Sequence, residues 1–154
     1  MSDTIENNVV PFPTPKPGAF ATAEDAVNFI RAGRAAIVME SQATGRSFAY
    51  RIERSRYGAK YFVKLMTNGG LEYQGVLSNN GISITGKSDA RSDDMAVRAF
   101  GYSWRHLLEG RLPPQVILLH QGRCGACHRA LRDPTSIGTG IGPECRRKAK
   151  LACG

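Results

Sequence analysis

Residues 48–53 read Phe48-Ala-Tyr-Arg-Ile-Glu53, and this alternation of large apolar side chains with small or charged ones decides the fold. Successive side chains of a strand point to opposite faces, so the stretch predicts a strand with one buried face. The period of two recurs over residues 36–86, and turn sequences such as Asn68-Gly-Gly70 interrupt it. We predict an antiparallel β-meander of four or five strands.

Two helices are expected to flank this meander. Thr22 is a candidate N-cap for a short helix that ends near Gly33. The longest helix is predicted from Ser92 to about Glu109, because apolar residues recur there at helical spacing and Gly110 follows. This helix is expected to cover the apolar face of the sheet. The predicted fold class is therefore α+β, an antiparallel meander packed by one long helix.

The C-terminal part of the chain carries three cysteines at metal-binding intervals. Cys124 and Cys127 are two residues apart, which lets one tight turn direct both sulfurs at a single ion. Cys145 follows after an intervening loop, and Pro143 places it near the start of a predicted helix, where a thiolate is favoured. The spacing predicts a structural Zn²⁺ site in a small treble-clef-like zinc knuckle.

The fourth zinc ligand has several candidates. His120 is favoured, because it ends a predicted strand four residues before Cys124. Cys153 lies about two helical turns beyond Cys145, which is too far unless the helix breaks. His128 adjoins the second cysteine of the turn and is expected to point away from the ion, and water is a further alternative. The predicted metal site is His120, Cys124, Cys127 and Cys145.

Other chemistries fit the cysteines less well. Cys124 and Cys127 as a redox dithiol would leave Cys145 without a role, and plain packing of the thiols is another alternative. Cys124-Gly-Ala-Cys127-His128 matches the pattern of covalent haem attachment, but that reaction follows export and no export signal is visible. A closed site of four protein ligands offers no position for catalysis. We therefore expect no enzyme activity.

The cysteine segment resembles a known family. From Cys124 to Ile137 the chain reads Cys-Gly-x-Cys-x-Arg-x-Leu-x-Asp-Pro-x-Ser-Ile, and Gly140-Ile-Gly-Pro-x-Cys145 follows. This pattern resembles a domain of small phage and prophage proteins, the DUF6011 type, whose function is unknown. The resemblance covers residues 120–148 densely and implies a mobile-element origin and a structural zinc ion. A histidine four residues before the first cysteine is common in such proteins, which agrees with His120.

The charge of the chain points to a polyanionic partner. Its formal net charge is +8, and residues 120–154 alone carry seven basic side chains against two acidic ones. We expect this segment to bind DNA or RNA, and the alternative is a protein-interaction module that acts on a host enzyme or defence component. The candidate nucleic-acid contacts are Arg123, Arg129, Arg146, Arg147 and Lys150.

The predicted sheet offers further contacts. The possible stacking partners for bases are Tyr50, Tyr61, Tyr73 and Phe62, but the three tyrosines are assigned to the core face, where packing explains them better. The solvated face carries a second group of basic residues, namely Arg51, Arg54, Arg56, Lys60 and Lys64.

Three segments are predicted along the chain. Residues 1–20 form a disordered proline-rich arm, residues 21–115 the α+β sheet domain, and residues 116–154 the zinc-binding module. No apolar run approaches the roughly 18–20 residues of a membrane span. We therefore expect a protein of the bacterial cytoplasm, with no membrane contact and no small-molecule substrate.

Overall fold

The structure, a computed structural model, describes residues 18–56 and 59–147. Most of the predicted arm (1–17) and the last residues (148–154) lie outside the described residues. A further helical stretch covers residues 143–147. The named elements follow in chain order: α1 (Ala23–Ile30), β1 (Arg34–Ser41), β2 (Ser47–Arg54), β3 (Tyr61–Thr67), β4 (Gly70–Ser78), β5 (Gly81–Ser83), α2 (Met95–Leu108), β6 (Val116–His120) and α3 (Pro134–Thr139).

The six strands form one antiparallel sheet with the order β5-β4-β3-β2-β1-β6. The predicted α+β fold and the meander of five strands are confirmed. β6 returns beside β1, where His120 pairs with Ile37. The segment that sequence reasoning assigned to the zinc module therefore begins inside the sheet, at its edge strand.

Helices α1 and α2 supply the apolar cover of one sheet face. Tyr50, Phe100 and Trp104 are almost completely buried in this core. The Tyr50 hydroxyl donates to the backbone oxygen of Ala96 at 2.6 Å, and the Trp104 indole donates to that of Ser78 at 2.9 Å. Burial raises the pKa of Tyr50, so it remains a protonated donor. These two bonds satisfy the polar atoms of the large aromatic residues within the core.

The short helix α1 begins as its sequence predicts. The Thr22 hydroxyl accepts a hydrogen bond from the Asp25 backbone at 3.1 Å, which satisfies one of the free N–H groups of the first turn. The buried face of α1 includes Phe29 and Ile30 at its last turn. This end of the helix faces the cysteine-containing segment, so it contributes to the position of the site.

The expectation that Tyr73 lies on the core face is wrong. The pairing of β3 with β4 shifts register between Val63 and Lys64, so Gln74 is an extra residue and Tyr73 pairs with Lys64. Gly75 sits at this irregularity with φ of +152°, and a Cβ there would lie 2.3 Å from the Ser83 backbone oxygen. The shift turns Tyr73 to the face opposite the helices.

Candidate metal centre

A short hairpin presents the first two cysteines. The Leu131 N–H donates to the backbone oxygen of Gly122, and the Cys124 N–H donates to that of Arg129, both at 2.8 Å. The His128 N–H donates to the backbone oxygen of Cys124 at 2.9 Å. His128 has φ of +67°, in the left-handed region, which closes the turn. The hairpin of residues 122–131, here called the knuckle, therefore holds Cys124 and Cys127 on one tight turn.

Helix α3 brings the third cysteine back to the knuckle. The Asp133 carboxylate accepts from the Ser136 backbone at 3.0 Å and caps this helix, and Pro134 occupies its first turn. Gly140 ends it in the left-handed conformation. The predicted intervening loop is thus partly helical, and the helical stretch from 143 carries Cys145 as expected.

The three cysteines converge on one point. Their sulfur atoms all lie within 4.8 Å of one another. Tetrahedral zinc, with Zn–S bonds of about 2.3 Å, separates its sulfur ligands by about 3.8 Å, so the group is spaced to hold one metal ion. Cys124 is fully buried, whereas Cys127 and Cys145 are half-buried, and the described cysteines form no disulfide.

Backbone donors surround the buried sulfur. The N–H groups of Ala126 and Gly142 each point to the Cys124 sulfur at 3.3 Å. Burial raises the pKa of Cys124, but these N–H groups and that of Cys127 outweigh it and lower the pKa to about 7. Burial and the neighbouring sulfurs raise the pKa of Cys145 to about 12. The site therefore favours a thiolate at Cys124, the form that binds metal.

His120 lies apart from this group. Its Nδ1 accepts a hydrogen bond from the Gly122 backbone at 2.9 Å, and its Nε2 contacts the Ile137 backbone oxygen at 2.5 Å. The ring packs between Phe20 and Phe29, with centroids 5.4 and 5.8 Å away. Among the described residues, the structure brings together the three predicted cysteine ligands and gives His120 other partners. Cys153, the second candidate for the fourth ligand, lies outside the described residues.

The knuckle rests directly on the end of α1. A Cβ at Gly125 would lie 2.7 Å from the Phe29 ring, and one at Gly140 would lie 2.5 Å from it. The Arg34 N–H donates to the backbone oxygen of Gly125 at 2.6 Å, and the Gly125 N–H donates to the backbone oxygen of Gly140 at 2.9 Å. Glycine is therefore required at both positions, because the aromatic ring occupies the space of a side chain. Sequence reasoning missed this contact, although both glycines were visible in the family pattern.

The predicted nucleic-acid contacts fall into different environments. Arg123 donates to His128 at 3.2 Å, and Arg129 pairs with Glu144 at 3.3 Å with both side chains mostly exposed. Arg146 is half-buried and donates to the hydroxyl of Ser136 and the carbonyl of Ile141. Arg147 is exposed, and Lys150 lies outside the described residues. Arg146 thus holds α3 against the following helical stretch.

Residues 119–150 match a family of unknown function, DUF6011, and this segment contains all three clustered cysteines. No curated protein and no solved structure matches the chain. The resemblance is confirmed over this segment, and the phage origin stays a prediction. Across the described ranges, no helix is both long and apolar enough to cross a membrane.

Proposed function

We propose that the chain is a non-catalytic, nucleic-acid-binding accessory protein of phage or prophage type, with a C-terminal module held by structural zinc. The observation that carries this proposal is the convergence of the Cys124, Cys127 and Cys145 sulfurs within a strongly basic segment. Sulfur-rich donor sets suit zinc, and a small module with such a set depends on the ion for its fold.

The donors around the ion support a structural role. Cys124, Cys127 and Cys145 would hold zinc, and the ion would supply a cross-link between the knuckle and the helical stretch from 143. A structural site needs a fourth protein ligand, for which Cys153, outside the described residues, is the candidate, whereas water in that place would leave the site open as in catalytic zinc sites. Glu144 adjoins the site, but its carboxylate pairs with Arg129 at 3.3 Å, so it is engaged as an ion-pair partner. This arrangement favours a protein without enzyme activity.

The charge of the module supports a polyanionic ligand. Seven basic side chains against two acidic ones give residues 120–154 a net charge of +5. If the metal holds the fold of the module, several of these cations lie in fixed positions. On binding, they would release counterions from the phosphates. Arg147 and Lys150 are the proposed outer contacts, and Arg123 and Arg129 flank them.

The test is a binding titration across salt. Fluorescent DNA and RNA oligonucleotides are titrated with the full chain between about 50 and 200 mM salt, and affinity is expected to fall steeply as salt rises. A chelated sample and the Cys127→Ser variant should bind more weakly, because the basic side chains lose their fixed arrangement. A protein that captures a host protein at high salt and has no affinity for nucleic acid would contradict the proposal.

A further inference from the structure

A cavity of about 410 Å³ lies where the knuckle meets the ends of β1 and β2. Residues from three separate parts of the chain line it: the turn before β1, the end of β2, and the left-handed position of the knuckle. The lining residues are Gly33, Arg34, Arg51, Glu53, Arg54 and His128. Three arginines thus line a cavity at the seam between the sheet and the candidate metal centre.

Among the described residues, the lining carboxylates do not neutralise the positive charge of this cavity. Its single lining carboxylate, Glu53, already pairs with Lys64 at 2.9 Å. Within residues 18–56 and 59–147, no carboxylate forms an ion pair with Arg34, Arg51 or Arg54. Like charges placed together without partners destabilise a fold, so an anion from outside would relieve the repulsion. Guanidinium groups are suited to phosphate in particular, because their forked donors match two of its oxygens.

The sheet face beside the cavity indicates which phosphate compound fits. Arg51 pairs with Lys64 across the sheet, and Lys64 pairs with Tyr73. Two strand spacings separate Arg51 from Tyr73, about 10 Å. Tyr73 packs edge-on to Phe62 at a centroid distance of 6.0 Å, on the face that the helices do not cover. Aromatic rings beside a cationic groove are the combination that binds single-stranded nucleic acid.

The knuckle forms one wall of this cavity through His128. The Arg34 backbone donates to Gly125 of the knuckle at 2.6 Å, so the same contact sets the wall against the start of β1. A metal ion that orders the knuckle therefore also orders the cavity. This connection ties phosphate binding on the sheet to metal binding in the module.

We infer that the cavity of Arg34, Arg51 and Arg54 binds a backbone phosphate of single-stranded nucleic acid, with a neighbouring base on Tyr73 and Phe62. The inference rests on the proposed nucleic-acid function. It places the principal contact on the sheet face beside the knuckle, whereas the candidate contacts predicted from the sequence lie in residues 120–154, with the sheet residues as a second basic group.

The test compares three variants of the full chain with zinc present, using a fluorescent single-stranded oligothymidine. Arg34→Gln combined with Arg51→Gln should weaken binding about tenfold or more and reduce the salt slope by about 0.7 for each phosphate that the variant no longer neutralises. Tyr73→Leu should weaken binding about fivefold or more and leave the salt slope unchanged, because stacking releases no counterions. The charge-matched control is Arg91→Gln combined with Arg98→Gln, two exposed positions on the α2 side, and it should bind like the natural protein.

Inorganic phosphate provides a second arm, followed by the amide NMR signals of Gly33 and Glu53, two lining residues that the variant keeps. Shifts that occur in the natural protein and vanish in the Arg34/Arg51 variant support the cavity as the phosphate site. If the natural protein binds the oligonucleotide and the Arg34/Arg51 variant binds equally well, the inference fails while the proposed function stands. If the natural protein binds no oligonucleotide, the proposed function and the nucleic-acid ligand both fail, even where phosphate shifts the signals.

Discussion

The sheet region and the cysteine module differ in the side chains that they bring together. From Phe20 to Leu118 the chain buries a continuous set of apolar side chains between the helices and one face of the sheet. Among the described residues beyond Leu118, the one buried residue of this class is Cys124, and Ile141 packs at the edge of the core. The module therefore has three converging sulfurs where the sheet region has a hydrophobic core.

Under the proposed function, this difference explains how a segment of about 30 residues keeps a defined shape. Chains below about 40 residues rarely bury enough apolar surface to fold alone, and metals or disulfides supply the remainder. The module gains additional order by resting on Phe29, against which Gly125 and Gly140 pack. Metal removal should therefore disorder the cysteine module alone, whereas truncation of Phe29 should destabilise both the module and the sheet region.

The largest expected effect is the loss of the metal. Cys127→Ser, or chelation of the natural protein, should abolish amide hydrogen-exchange protection over residues 122–147 while the sheet keeps its own. Structural zinc contributes about 10–16 kcal/mol of apparent binding free energy in small zinc peptides, so the module should not remain ordered without it. Hydrogen exchange read by mass spectrometry separates the two regions. Ala126→Ser is the matched control, because it adds a hydroxyl to the same turn and keeps the sulfurs. Unchanged protection of the module after chelation would contradict the claim that a metal ion orders it.

Truncation of Phe29 should affect both regions. Phe29→Ala removes a ring that is 1% exposed and supports both the sheet core and the knuckle. We expect a loss of about 3–5 kcal/mol in the free energy of unfolding, measured with urea. Protease cleavage within 122–147 should also become faster. Asn28→Ala, an exposed position on the same helix, should change neither. A destabilised sheet with an unaltered cleavage rate in the module would show that the two regions are independent.

Without metal the module should be mostly disordered, and the small ordered fraction that remains should grow as pH rises toward 9. The pKa of Cys124 is lowered to about 7 from an ordinary value of 9.0. Its thiolate therefore stabilises the folded module fully above about pH 9, and this contribution disappears as pH falls through 7. The gain is at most about 2.7 kcal/mol, since each pKa unit corresponds to 1.36 kcal/mol. Cys145, raised to about 12, stays protonated over this range.

NMR signals of Gly122 and Gly125 in chelated protein, recorded from pH 6 to 9, measure this effect. Cys124→Ser should remove the pH dependence. If these signals weakened steadily as pH rises, folding would raise the pKa of Cys124, and the prediction would be wrong.

The smallest expected effect concerns the surface of the module. Arg129 and Glu144 are paired at 3.3 Å, but their side chains are 76% and 60% exposed. Exposed ion pairs contribute about 0–1 kcal/mol, so Arg129→Gln should change the midpoint of thermal unfolding very little. A loss comparable to that of Phe29→Ala would mean that surface charge, rather than the ion, holds the module.

Most of the features that follow from local sequence were predicted correctly. The alternation around Tyr50 and Ile52 indicates a strand with one buried face, and the cap at Thr22 depends on residues three positions apart. The spacing of Cys124 and Cys127 by itself predicts that both lie on one turn, because two intervening residues make a single turn. Asp133-Pro134-x-Ser136 is likewise a helix start that neighbouring residues indicate, but we predicted a loop there.

The other features that were missed depend on distant parts of the chain. Tyr73 changes face because the pairing of β3 with β4 shifts register, and the alternating pattern alone does not reveal that shift. The partners of His120 include Ile137, 17 residues away, and its spacing from Cys124 could not reveal them. The cavity of Arg34, Arg51 and His128 needs both the strand pairing and the docked knuckle, so no single motif contains it.

The most direct test of this account is elemental analysis of the purified protein under native conditions, combined with hydrogen exchange on the same sample. We expect one zinc ion per chain, and removal of that ion should release residues 122–147 from protection while the sheet stays protected. A protein that contains no metal and still protects this segment would contradict the claim that the three cysteines hold the module through an ion.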